Sequence, residues 1–156
     1  MIIVDSSVWI DYFTGVDTEQ TNTLDNTLGL KLVAVGDLIL TEVLQGFRHD
    51  KDYRTAKRLF NDLTIFEMLG KKMALKSADN FRALLKKGIT IRKTADVIIA
   101  SFCIDKKLPL LFSDKDFKPF VKHLGLIEAW DTHNYSADLH SYFHEAHFLT
   151  AVASWL

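Results

Sequence analysis

Short runs of aliphatic and β-branched residues take turns with longer stretches of helical periodicity along residues 1–130. This alternation constrains the chain more than any other feature. Strands separated by helices return in the same direction, so the pattern calls for a parallel sheet covered on both faces. Residues 1–5 read as a buried strand ending in Asp5. Residues 6–13 read as a helix closed by Gly15. A second strand is expected over 32–35. Ile39, Leu40, Val43, Leu44 and Phe47 then recur at 3.6-residue spacing and mark a helix ending near 46–48. Residues 50–63 and 71–87 read as amphipathic helices on either side of a strand at 64–68, with Gly88 placed to stop the second. Residues 94–107 are almost wholly apolar and are expected to form the central buried helix. Thr94 stands at its N-cap, and Lys106 and Lys107 lie at the negative end of its dipole. A strand at 109–112, a short helix at 114–123 and a last strand at 126–128 complete the alternation. Residues 16–31 receive no element.

The chain of 156 residues, 48% hydrophobic, is long enough for one core, and no Pro-, Gly- or Ser-rich stretch divides it. A single domain over 1–130 is expected, followed by an extension over 131–156. Cys103 is the one cysteine, so no intramolecular disulfide forms, and its apolar neighbourhood marks it as core packing in a reducing compartment. Neither an export signal nor a membrane span is expected, since no apolar stretch approaches the ~18 residues a bilayer requires. A cytoplasmic location follows from these two readings. The net charge of −1 supplies no general attraction for nucleic acid, so any such binding needs a local basic patch.

In an open α/β sheet, ligands bind beyond the carboxyl ends of the strands. Four acidic residues are expected at that edge. Asp5 and Asp114 follow strands, whereas Glu42 and Asp96 lie near the starts of helices that run back along the sheet. Each has a plainer use. Asp96 suits the helix dipole, Asp114 suits a helix cap, and Glu42 flanks an apolar stripe where a solvated residue would serve. Asp5 is the hardest to explain structurally, because a carboxylate ending a buried strand is costly without a partner or a metal. Crowded carboxylates raise one another's pKa unless a cation neutralises them. An all-oxygen set with no Cys or His suits Mg²⁺ or Mn²⁺ over Zn²⁺.

Four segments together resemble the acidic motifs of PIN-domain proteins. They are Ile3-Val4-Asp5-Ser6-Ser7-Val8-Trp9-Ile10, Leu40-Thr41-Glu42-Val43-Leu44-Gln45-Gly46, Thr94-Ala95-Asp96-Val97-Ile98-Ile99-Ala100 and Leu111-Phe112-Ser113-Asp114-Lys115-Asp116-Phe117. The resemblance spans about residues 1–130, and the short length and the second motif favour the VapC toxin branch. It implies an α/β PIN-like three-layer sandwich, a parallel sheet with helices on both faces. It also implies a Mg²⁺- or Mn²⁺-dependent endoribonuclease that hydrolyses RNA phosphodiester bonds with an activated water. By matching position, Asp5, Glu42, Asp96 and Asp114 are the metal-site carboxylates, Asp5 and Asp96 the foremost ligands, and Asp116 a supporting one. Ser6 and Ser7 are supporting hydroxyls or, more plainly, helix-capping residues. A cognate antitoxin and a homodimer are implied as well, and Val8, Trp9, Ile10 and Phe13 offer either an apolar surface for a partner or core packing.

Lys51, Arg54, Lys57 and Arg58 form a basic stripe on one helix, and Arg92 and Lys93 stand just before Asp96. Either set can guide phosphates, or else form an ordinary solvated surface. Tyr53 can stack a base or simply pack. A catalytically weak PIN domain that binds RNA or a partner is the alternative function. A phosphatase of the haloacid dehalogenase kind needs an Asp where Ser7 stands. A receiver-like domain needs one ending the strand at 64–68, which has none. In the extension, Leu139, Tyr142, Phe143, Ala146, Leu149 and Thr150 make a helical stripe suited to docking on the domain or on a partner. His140, His144 and His147 share a face, so with His133 a metal site there is conceivable and a marginal position beside the stripe is the simpler reading.

Overall fold

The computed structural model describes residues 1–30 and 32–129. Strand β1 (Ile2–Val4) is followed by helices α1 (Ser6–Thr14) and α2 (Glu19–Leu28). Strand β2 (Val33–Gly36) leads into α3 (Asp37–Gln45) and α4 (Asp50–Asn61). Strand β3 (Thr64–Phe66) leads into α5 (Lys71–Leu85) and α6 (Thr94–Lys106). Strand β4 (Leu110–Leu111) precedes a 3₁₀ turn (Lys115–Phe117) and α7 (Lys118–Leu124). All strand pairs are parallel, in the order β3-β2-β1-β4, with Ile3 opposite both Ala34 and Leu110. The parallel α/β fold expected from the alternation is therefore the fold observed.

The strand order sets the helix layers. From β1 through β2 to β3 the chain moves one way along the sheet, and right-handed crossovers place α1 to α4 on one face. From β3 it jumps back across to β4, which places α5 and α6 on the other face. The observed packing of α1 on α2 and α3, and of α5 on α6 and α7, agrees with this division. The connections leaving β1 and β4 thus turn to opposite faces, and a crevice opens between the carboxyl ends of these two neighbouring strands. Asp5 stands directly after β1, and Asp114 three residues after the end of β4.

The core lies on both sides of the central strands, and the eight consecutive residues from Asp96 to Cys103 are buried in α6. An almost wholly apolar helix has little solvent face to present, and α6 accordingly packs against α5, with Phe102 also meeting Phe66 of β3. Burial raises the Cys103 thiol pKa, consistent with inert packing. Gly36, ending β2, has the buried Met68 thioether packed where a side chain would begin, so any larger residue there must displace Met68.

Several expectations need correction. Helix α2 was not anticipated: it buries Thr21, Leu24 and Thr27 instead of a clear apolar stripe, and it starts on a capping box between Thr18 and Thr21. Thr94 is the first residue of α6 and not its cap; the cap position belongs to Lys93, which makes no side-chain capping bond. Because α3 starts at Asp37, Glu42 lies in its second turn and not near its start. The segment after Asp114 splits into the 3₁₀ turn and α7, and the last strand reduces to one parallel bridge between Leu110 and Glu128. Val8 and Trp9 are fully buried and Phe13 is partly so, which leaves only Ile10 of that group widely exposed. Residues 131–156, with the stripe and the histidines noted above, lie outside the described residues. Among the described residues, no helix is long and apolar enough to cross a membrane.

Candidate active site

Asp5 does two jobs at the end of β1. It caps α1, because its Oδ2 accepts the Ser7 backbone N–H at 2.9 Å, and the same oxygen accepts the Ser7 hydroxyl at 2.6 Å. The Ser7 oxygen in turn accepts the backbone N–H of Ser113 at 3.1 Å. One hydroxyl thus joins the ends of β1 and β4 across 106 residues of sequence and holds the Asp5 and Asp114 segments together. Ser6 is the first residue of α1, and its backbone N–H also helps to hold down the Asp5 pKa.

Asp114 caps the 3₁₀ turn through Oδ1, which accepts the Asp116 backbone N–H at 3.0 Å, and its Oδ2 accepts the Lys93 ammonium at 3.2 Å. The Asp116 backbone N–H and then Lys93 hold the Asp114 carboxyl below its ordinary pKa. Arg92 approaches Asp116 Oδ2 through Nε and Nη2, each at 3.4 Å. Carboxylate oxygens of Asp96, Asp114 and Asp116 lie within 4.8 Å of one another. Asp116 therefore belongs to the tightest acidic group. Asp5 and Glu42 stand outside this group yet within reach of its charge, since both add to the pKa shift of Asp96.

Asp96 occupies the first turn of α6 and is 3% exposed. Its Oδ2 is buried with no hydrogen-bond partner, as is Oε2 of Glu42. Only four side-chain polar atoms among the described residues are in that condition, and two of them are these carboxylate oxygens. Burial raises the Asp96 pKa to about 7; Lys93 opposes the shift, and Asp5, Asp114 and Glu42 add to it. Burial likewise raises the Asp5 pKa, against the two Ser7 hydrogen bonds and with help from Glu42. Buried carboxylate oxygens without donors, beside other carboxylates, leave a place whose deficit a cation removes. The all-oxygen donor set fits Mg²⁺ or Mn²⁺.

Arg92 and Lys93 meet the site as counter-ions of Asp116 and Asp114, a pairing invisible in the sequence because the partners lie 24 and 21 residues away. The stripe of Lys51, Arg54, Lys57 and Arg58 is exposed on α4 and makes no ion pair with the acidic group among the described residues. Lys57 instead lies over the Tyr53 ring, 5.9 Å from its centroid. Ser113 was not anticipated, since its contribution is a backbone N–H that no residue type announces.

The PIN domain family matches residues 2–121. A curated relative, VapC ribonuclease Mb1587 of Mycobacterium bovis, is 27% identical over 128 residues, covering 81% of this chain and 96% of the relative. Among solved structures, VapBC2 from Rickettsia felis bound to a promoter DNA fragment superposes with a TM-score of 0.65 at 20% identity, covering 82% of this chain and 97% of that one. A toxin-antitoxin complex from Klebsiella pneumoniae superposes at 0.59 with 16% identity, covering 83% and 98%.

Proposed function

The chain belongs to the PIN-domain family, and from that premise we propose that it is a divalent-metal-dependent endoribonuclease of VapC toxin type. The observation that carries this reading is the buried, donor-free Oδ2 of Asp96, a residue whose carboxylate lies within 4.8 Å of those of Asp114 and Asp116. Asp96, Asp114 and Asp116 would hold Mg²⁺ or Mn²⁺, with Asp5 and Glu42 completing the acidic edge. The ion, when bound, supplies a lowered water pKa and stabilises charge on the phosphate. The protein residues do the rest. Burial raises the Asp96 pKa to about 7, so a bound divalent ion would favour its deprotonated form and its role as a ligand. Ser7 fixes the rotamer of Asp5, so one carboxylate oxygen stays engaged and the other can orient the attacking water. Lys93 and Arg92, exposed at the rim, offset the negative edge that RNA phosphates must approach.

The VapC name of the relative and the toxin-antitoxin complexes among the solved structures support RNA as substrate and a cognate antitoxin as partner. A homodimer and a cytoplasmic location belong to the same reading. The test is cleavage of RNA by the purified chain with Mg²⁺ or Mn²⁺ and with excess chelator. Asp5→Asn removes a charge at nearly constant volume and is expected to abolish metal-dependent cleavage while the fold remains. Full activity in that variant, or in chelator, overturns the proposal.

A further inference from the structure

Away from the acidic group, an apolar groove of about 440 Å³ lies between α5 and α6. Its walls include Leu69, Ala74, Ala78, Phe81, Val97 and Ile98. Leu69 is 51% exposed, and on α5 Leu75 and Leu85 are 61% and 49% exposed. Exposed leucine thus gathers on α5 and just before its start, with Leu69 lining the groove itself. The hydroxyl of Ser77, in the groove wall, is buried and has no hydrogen-bond partner.

The rim is basic. Between residues 69 and 93 stand eight Lys or Arg and a single acidic residue, Asp79. Asp105 engages Lys72 and Lys76, and the crevice carboxylates engage Arg92 and Lys93. Lys71, Arg82, Lys86 and Lys87 remain exposed with no ion pair among the described residues. Residues 131–156 have the opposite character. They contain no Lys or Arg and three acidic residues, Asp131, Asp138 and Glu145. Asp138 and Glu145 flank the apolar stripe of Leu139, Tyr142, Phe143, Ala146 and Leu149 at helical spacing.

We propose that the groove between α5 and α6 is the docking site of this chain's own residues 131–156. The described chain runs to Ala129, whose N–H donates to the Leu110 carbonyl at 3.0 Å at the β4 edge of the sheet, and α7, which precedes it in the chain, packs against α5. A segment of that length spans far more than the ~14 Å radius of gyration of a domain this size, so it reaches the groove without leaving its own subunit. The relative from Mycobacterium bovis is 96% covered by a match of 128 residues, and the family model ends at residue 121, so that relative has no room for a full further segment of this length. Apolar burial supplies the affinity. The acidic flanks against Lys71, Arg82, Lys86 and Lys87 set the orientation.

Chymotrypsin digestion of the full chain, followed by intact mass, tests this, because the extension is rich in aromatic sites and the readout does not depend on nuclease activity. In the wild type, cleavage within 131–156 is expected to be slow and independent of protein concentration. Ala78→Glu places a like charge on an exposed position of the groove and is expected to speed that cleavage about tenfold, with Lys86→Glu acting in the same direction and Ala78→Ser leaving it unchanged. Equal rates in wild type and Ala78→Glu overturn the proposal. So does protection that grows with protein concentration, which identifies a second copy as the occupant, or protection that arises only when an antitoxin is added.

Discussion

Helix α6 carries a carboxylate near each end, and the two are treated in opposite ways. Asp105, near the C-terminus, meets Lys76 in a close ion pair and Lys72 at 3.9 Å, and the Lys76 hydrogen bond holds its pKa below the ordinary value. Asp96, in the first turn, has a buried oxygen with no donor and a pKa raised to about 7, although the positive end of the helix dipole lies beside it. The same residue type on the same helix is satisfied where it tethers α5 and left in deficit where the sheet edge opens. A fold that can pair one carboxylate so fully leaves the other unpaired only at a cost, and such costs concentrate where a ligand removes them.

Replacing the two in parallel breaks this comparison most severely. Asp96→Asn is expected to lower RNA cleavage about 100-fold or more, with the fold retained. Asp105→Asn is expected to keep near-wild-type cleavage and to lower the melting temperature slightly, since it loosens a pair at the edge of α5. Steady-state cleavage and thermal melts of both variants decide it, and similar cleavage in the two would show that the deficit at Asp96 has no chemical role. A smaller effect is expected from Ser7→Ala, which frees Asp5 and unties Ser113 without removing a carboxylate. About tenfold slower cleavage with little change in melting is the expected result, and the loss should fall mainly on kcat.

The sequence made some of this visible. The nearly uninterrupted apolar character of α6 and the short run ending in Asp5 follow from periodicity and position, so the sheet and the central helix were legible, as was the meeting of Asp96 with Asp114. Helix α2 was not, because its buried face is made of Thr21, Leu24 and Thr27, and threonine is ambiguous between a polar surface and a helix interior. The membership of Asp116 in the tightest acidic group, the bonds through Ser7 and the engagement of Lys93 and Arg92 depend on where loops from distant strands meet. Residue type carries little information about that.

The raised pKa of Asp96 has a consequence for stability that sharpens the contrast further. A carboxyl whose folded pKa lies above its unfolded one keeps its proton longer in the native state. Between the ordinary value of 3.8 and about 7 the native protein therefore binds more protons, and stability falls as pH rises. In chelator, the melting temperature of the wild type relative to Asp96→Asn should decline over that window and level off above it. Asp105, whose pKa is lowered, contributes in the other sense: its stabilisation is present above its unfolded pKa and is lost as pH falls through the folded value. A wild-type-to-Asp96→Asn difference that stays constant from acid to neutral pH would contradict the burial argument.

The central claim is that the acidic group around the donor-free Asp96, at the crevice between β1 and β4, holds a divalent ion. Calorimetric titration of the chelator-stripped chain with Mn²⁺ at neutral pH tests it most directly. The account predicts saturable binding with proton release in the wild type, binding preserved in Asp105→Asn, and binding lost in Asp96→Asn. Equal Mn²⁺ binding by the wild type and Asp96→Asn would contradict it.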